Sequence, residues 1–557
     1  MPAFVSRGRG AGRVHGVAVR WFAVRAAHRA GPAQMRAQRI LAGIAAVAAL
    51  TLAACSERPI STFSIVSGSE NRTLEPIVQE FCKTEHVACS FEYMGSLDIG
   101  MAVAADRGSF DAVWPANNFW IGMFDRDKRV RDLASVMHSP VILGVRLSKA
   151  QELGWVGREV SSKDIEAAVR RKQLTYLASS ATQSNSGANA YLLMLAAALG
   201  HPDVITQADL DRPDVREKVA TLLAAISRTA GSSAWVADLY LKGINQGVQY
   251  DAMWNYEAIL AETNATLKQR GHEILYAIYP SDGVGLANSP LGFIDRGRGR
   301  EASAFFNKLQ TYLLSPDVQK RLVASYRRPA VGEAADATPD PSWNYDPTRP
   351  LKLIRLPEPA VVRTALDLYQ DGLRRPSLTV YCLDFSRDMD GQGEQSLRKA
   401  MSFILSRDQS APLLVQHAPN DQIVIIPFDA RARPDARGTG SAADQARLLD
   451  FVTKQKTGGD SDFYACAERG LAEVTQTPNS LAYLPAIIVL TNGKSEDRLQ
   501  DFLTRWRASH RDIPIFGITF QNADTSQIAQ LAEATRGAVF DGTKSLTEAF
   551  RTVRGYN

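Results

Sequence analysis

Three oxygen-bearing side chains at alternate positions close an apolar run in "YCLDFSRDMDGQG": Asp384, Ser386 and Asp388, followed by Gly391 and Gly393. Carboxylates and a hydroxyl at such a strand end are the hard oxygen donors that magnesium or manganese takes, and a divalent cation of that kind is the one candidate cofactor. A charged turn, with Arg387 paired to the two carboxylates, is the competing reading. Four further stretches set serine, glycine or asparagine where strands give way to helices: Ser67-Gly68-Ser69, Gly95-Ser96, Ser184-Asn185-Ser186-Gly187, and "YDAMWNYE" with Tyr256. Free backbone N–H groups and hydroxyls at helix starts suit a bound oxyanion, although serine and asparagine are also ordinary helix caps. Trp114, Trp120 and Trp254 read as core, and Arg72 as a solvated arginine.

Signatures of catalysis are missing from the sequence. It has no His-Glu-x-x-His, no Gly-x-Ser-x-Gly and no cysteine quartet at zinc spacing. Gly493-Lys494-Ser495 does not complete a phosphate-binding loop, because Ile488 stands where that loop needs its first glycine. The chain therefore reads as a binding protein and not an enzyme.

The elements that must position these residues alternate between apolar runs and amphipathic stretches. "STFSIVSG", "CSFEYMG", "SFDAVWPANN", "PVILGVR" and "LTYLASS" read as strands separated by helices, a cadence that predicts α/β layers with ligands at the carboxyl ends of strands. Prolines and aspartates crowd Arg327 to Pro359, which reads as a linker. Beyond it, "LTVYCLD", "DQIVIIPFD", "AIIVLTN", "IPIFGITF" and "GAVFDG" alternate with helical stretches, predicting a second, doubly wound sheet.

The chain has 557 residues and a net charge of +5, which becomes −3 once the eight arginines of residues 1–54 are left out. That balance gives no basic footprint for nucleic acid. The same segment carries a short basic region from Met35 to Arg39, an apolar stretch from Ile40 to Leu52, and Leu52-Ala53-Ala54-Cys55. The apolar part is short for a membrane span, which needs about 20 residues, and reads as an export signal starting at Met35. Leu-Ala-Ala-Cys resembles the lipobox of bacterial lipoproteins, which implies lipidation of Cys55 and an envelope location facing the periplasm or exterior. Of the remaining cysteines, Cys82 and Cys89 are close enough for a local disulfide in an oxidising compartment, while Cys382 and Cys466 read as two buried thiols.

Two family resemblances follow from these motifs. From about Ser61 to Arg328 the order of the serine turns, with "YPSDGVGLANSPLGFID" and "SPDVQKRLVASYRRP", resembles the extracellular solute-binding (type 2 periplasmic binding) proteins of ABC transport. That resemblance implies Ser67, Gly68, Ser69, Gly95 and Ser96 in one lobe, Asn185, Ser186 and Gly187 in the other, Tyr256 nearby, and a small solute between them. From about Pro376 onward the chain resembles the von Willebrand factor type A family, whose metal-ion-dependent adhesion site implies Asp384, Ser386, Asp388, Ser461 and Asn492 as a degenerate ligand set, and a protein partner.

The predicted organisation is an export signal over 1–54, with 1–34 upstream of a true start at Met35, a two-lobed solute-binding domain over 55–335, a linker and lead-in helix over 336–375, and a doubly wound Rossmann-like domain over 376–557. The expected function is a lipid-anchored envelope protein that binds a solute and a protein partner. A scaffold without solute, and an envelope hydrolase using Asp384 or Asp388 with a metal, are the alternatives.

Overall fold

The computed structural model describes residues 60–331, 338–492, 495–520, 523–543 and 546–555. The export segment, Met35 and Cys55 lie outside them, as do Gly493 and Lys494. No helix among the described residues is long and apolar enough to cross a membrane.

The first domain has two lobes. Strands β1 (Thr62–Gly68), β2 (Ala88–Met94), β3 (Ala112–Trp114) and β4 (Val130–Ser135) belong to lobe 1. The chain then crosses into lobe 2 with β5 (Met137–Arg146), β6 (Tyr176–Ser179), β7 (Ile226–Ala230), β8 (Ala252–Tyr256), β9 (Leu275–Ile278) and β10 (Gly285–Ala287). It returns to lobe 1 with β11 (Pro290–Ile294), and β12 (Arg328–Pro329) finally pairs with β5. Lobe 1 is ordered β2-β1-β3-β11-β4, with β11 antiparallel to both neighbours, and the central path of lobe 2 is β10-β5-β8-β6-β7. Interrupting each lobe in sequence places several crossings beside one another, which is the connectivity of a hinge.

Local sequence explains these elements. Strand β5 is apolar along almost its whole length and buried on both faces, as befits a strand covered by helices. The Asn185–Leu199 helix is buried nearly all round and stops at Gly200, whose φ of 79° supplies the left-handed turn. "YDAMWNYE" is mostly strand: β8 covers Ala252–Tyr256, and only Tyr256 and Glu257 form the turn into the next helix.

The proline-rich stretch packs on lobe 2. Trp343 and Tyr345 are buried there with their rings stacked 4.7 Å apart, and Leu351, Ile354 and Leu356 lie against the same core. The Pro359–Leu368 helix contributes Val362, Ala365 and Leu366 to that core, and Tyr191 donates its hydroxyl to the Ala365 carbonyl at 2.8 Å. The large aromatic and aliphatic side chains scattered among the aspartates supply enough apolar area to hold this segment down.

The second domain is one sheet of β13 (Ser377–Asp384), β14 (Gln422–Phe428), β15 (Ala436–Thr439), β16 (Leu484–Thr491), β17 (Ile515–Thr519) and β18 (Val539–Asp541), ordered β15-β14-β13-β16-β17-β18. Only the edge strand β15 is antiparallel. All eight residues of β13 are buried, so a helix layer covers each face. On one face the Gln392–Ile404 helix presents Leu397, Ala400, Met401 and Ile404 at helical spacing. On the other, the Phe463–Gln476 helix lies across β13.

Cys82 and Cys89 form a disulfide. Cys382 and Cys466 also form one, with Cα atoms 5.9 Å apart, which corrects the reading of two free buried thiols. The cause is the helix over β13: it sets Cys466 against Cys382 across 84 residues of chain, a meeting that no local pattern announces.

Candidate functional site

The serine turns meet where lobe 1 faces lobe 2, but most of their hydroxyls are spent inside their own lobe. Ser67 Oγ accepts from the Asn71 side chain at 3.1 Å, and Ser96 Oγ accepts from the Ala116 N–H at 2.9 Å. Ser186 shares hydrogen bonds with Ser179 and Ser184, and Gly187 lets its helix lie against the Ser179 carbonyl. These contacts tie helix starts to neighbouring strand ends and turns, and none of them is a side-chain helix cap.

Other groups bridge the lobes. Ser69 Oγ lies 3.3 Å from Ser233 Oγ and accepts from the Ala234 N–H, and the Leu97 N–H donates to the Gln183 carbonyl at 3.1 Å. Trp120 donates to Asn185 Oδ1 at 2.8 Å, while the Asn185 amide donates to the Tyr256 hydroxyl at 3.0 Å. Gly95 makes this approach possible, because a Cβ there would overlap the Gln183 carbonyl. Leu97, Met101, Ala116 and Trp120 of lobe 1 join the apolar core of lobe 2. The lobes are thus closed on each other.

Glu70 lies at this junction, one residue past the serine–glycine turn. Its Oε2 accepts from Ser233 at 3.4 Å, whereas Oε1 has no hydrogen-bond partner among the described residues, and neither has the hydroxyl of Ser232. Burial pushes the Glu70 carboxyl up to about 7, against the smaller opposing effects of its hydrogen bonds and Arg327. Burial, with Glu70 second, also drives the Tyr256 hydroxyl well above its ordinary value. The sequence carries a signal for Glu70, an acid inside "SGSENRT", but a carboxylate has no place in a donor set for an anion. Arg72, read as solvated, reaches Asp238 of the opposite lobe at 3.6 Å with both side chains about half exposed.

At the carboxyl end of β13, Asp384 Oδ2 accepts from Ser461 at 2.9 Å and from Thr491 at 2.5 Å, and Oδ1 accepts from the Ser386 N–H at 2.8 Å. Burial raises the Asp384 carboxyl despite these bonds. Asp388 is exposed, and the Asn492 side chain donates to the Asp388 carbonyl at 2.7 Å, tying the two loops together. Arg387 uses its backbone N–H on the Gly459 carbonyl. Asp384, Ser386 and Ser461 therefore come together, with Thr491 as a hydroxyl the sequence reading missed, while Asp388 and Asn492 meet each other. One carboxylate and three hydroxyls are oxygen donors of the right hardness for magnesium or manganese, but they carry a single charge. No group of three or more histidine, cysteine, aspartate or glutamate side chains among the described residues is placed to hold a metal.

Residues 380–551 match the family model of the von Willebrand factor type A domain. The span runs from within β13 into the last helix of this VWA domain. None of the curated proteins compared matches the chain. Among solved structures, the chain is similar to the sulfate-binding protein SubI from Mycobacterium tuberculosis H37Rv (16% identity, 55% of this chain and 98% of that chain, TM-score 0.39). It is also similar to iron-bound HitA from Pseudomonas aeruginosa (11%, 56% and 98%, TM-score 0.40) and to a von Willebrand factor type A protein from Catenulispora acidiphila (16%, 33% and 42%, TM-score 0.27).

The VWA domain is docked on lobe 2 through buried charge. Asp512 pairs with Arg228 of β7 and with Arg536, each at 2.8 Å, and accepts from the Tyr250 hydroxyl at 3.3 Å. Arg228 also donates to the Arg536 carbonyl at 3.1 Å, and Arg536 donates to Gln246 at 2.9 Å. Burial would raise the Asp512 carboxyl, but the two guanidiniums outweigh it and hold the group below the usual carboxylate range.

Proposed function

We propose that the chain is a lipid-anchored envelope protein whose two-lobed domain binds a small solute between its lobes and whose VWA domain docks a protein partner. The observation that carries the solute reading is the unpartnered Glu70 oxygen, with the unpartnered Ser232 hydroxyl, in a junction otherwise closed by hydrogen bonds across the lobes. A buried acceptor without a donor costs about 1–3 kcal/mol, and a solute presenting an N–H or O–H there recovers it. An amine fits, and so does an oxyanion that retains a proton; fully ionised sulfate is repelled by the carboxylate. Two disulfides support the oxidising compartment that an exported, Cys55-lipidated chain would occupy. A cation at the β13 loops would be held by Asp384, Ser386 and Ser461, with Thr491 beside them, and would supply a charge to which an acidic partner group could bind.

A thermal-shift panel of phosphate, sulfate, amino acids, short amines and sugars tests the solute reading. The expected result is that one proton-bearing class raises Tm by about 3 °C or more and that Glu70→Ala abolishes the shift. A scaffold without solute is the second reading, favoured by the apolar packing of Leu97, Met101 and Trp120 across the lobes. It gains if no compound moves Tm. Labelling with radioactive palmitate, lost in Cys55→Ser, tests the anchor.

A further inference from the structure

The last helix, Leu546–Arg554, serves two masters. Ala549, Phe550 and Val553 belong to the VWA core, and Arg554 lies 3.5 Å from both Ser377 and Asp421 at the start of β13 and the lead into β14. Yet the same helix reaches both lobes of the first domain. The Arg551 guanidinium, buried, pairs with Asp98 in the first turn of the lobe 1 helix Ser96–Ala104 and touches Met101. Its backbone carbonyl accepts from the side chain of Gln183, in the lobe 2 turn before the Asn185–Leu199 helix. Just beyond, Gly555 lies so close to Gln183 and Gly231 of lobe 2 that a Cβ there would overlap them. These contacts surround the Leu97–Gln183 hydrogen bond that joins the lobes.

We propose that the last helix of the VWA domain is a latch across the mouth of the inter-lobe junction, so that the lobes part only when this helix releases Asp98. Because the VWA domain is held to lobe 2 through Asp512, Arg228 and Arg536, moving lobe 1 away stretches the Arg551–Asp98 pair along with the direct bonds between the lobes. Solute exchange and the position of the helix are then linked, and a partner that shifts the VWA domain changes solute affinity. The inference rests on the solute-binding reading for its purpose, but the latch itself is testable without any solute.

Hydrogen exchange on the full chain, followed by mass spectrometry, reads the latch directly. In Arg551→Ala and in Asp98→Asn, peptides covering 95–101 and 183–187 should exchange at least about ten-fold faster, while peptides from β13 and β1 keep their protection. Arg551→Lys, which keeps a charge for Asp98, should recover part of it. Asp98→Asn leaves the VWA core untouched, so it decides the matter if Arg551→Ala unfolds that domain. Unchanged exchange over 95–101 in Asp98→Asn, or equal loss of protection in β1, overturns the latch. If the latch holds while no compound in the thermal-shift panel binds, the solute reading fails alone.

Discussion

Glu70 is a carboxyl group kept in a closed junction, and its titration should be visible in the stability of the protein. Its folded value of about 7 lies above the ordinary 4.5, so folding favours the protonated form. The stability this group contributes is complete below pH 4.5 and is lost as pH rises through 7. Glu70→Gln removes the ionisation, and we expect the variant to gain about 3 kcal/mol at pH 8 and almost nothing at pH 4.5, measured by urea denaturation of the first domain. A second residue-scale prediction concerns the β13 loops. One carboxylate is too little charge for tight binding of a hard cation, so magnesium should shift wild-type Tm by less than about 1 °C at millimolar concentration. Asn492→Asp should introduce a magnesium-dependent rise, and Asp384→Ala in that background should remove it. At this scale the sequence reading was uneven. Small polar residues at strand ends make the serine turns conspicuous, and the sequence leaves both ligand donation and capping open for them. Hydrogen bonds within each lobe claim Ser67, Ser96 and Ser186, and their partners, such as Ala116 and Ser179, are set by the fold and not by local sequence.

Elements were more legible than residues. Long apolar runs gave β5, β13 and β16, since burial on both faces leaves no polar positions to confuse the period. What the pattern could not reach was contact between distant elements. The Arg327–Pro359 stretch reads as a linker because proline and aspartate break periodicity, and in the structure Trp343 and Tyr345 anchor it to lobe 2. Likewise no local pattern places Cys466 opposite Cys382, and only the packing of the Phe463–Gln476 helix brings the two together. That staple closes a loop of 84 residues around the central strand, so its removal should release much unfolded-chain entropy. We expect the double variant Cys382→Ala/Cys466→Ala to destabilise the VWA domain by roughly 2–5 kcal/mol, with the first domain unaffected, in hydrogen-exchange profiles of β13 and β1.

At the scale of the whole molecule, docking of the VWA domain on lobe 2 depends on a carboxylate shared by two arginines. Arg228 and Arg536 are almost fully buried, at 3% and 6% side-chain exposure, while Asp512 retains 30%. Removing the acid leaves two guanidiniums facing each other without a counter-charge, and the loss of one partner from a buried pair costs about 3–5 kcal/mol. Since Asp512 is partly exposed, the lower end applies. The penalty should fall on the interface and spare each core, because Arg228 leaves from the edge strand of lobe 2 and Arg536 from the turn before β18. Asp512→Asn should therefore separate what wild type keeps together: in calorimetry, one transition for docked domains becomes two, with the VWA domain melting apart from the lobes. The pH dependence has a definite sign. The folded Asp512 carboxyl is held below 3.8, so its contribution is complete above that pH and fades as pH falls further. Wild type should accordingly show one transition at pH 5 and acquire the split profile only as pH falls below 3.8. A single transition for Asp512→Asn at pH 7 would mean that the other contacts, the lead-in helix and the Arg551 contacts with Asp98 and Gln183 among them, join the two domains without this charge cluster.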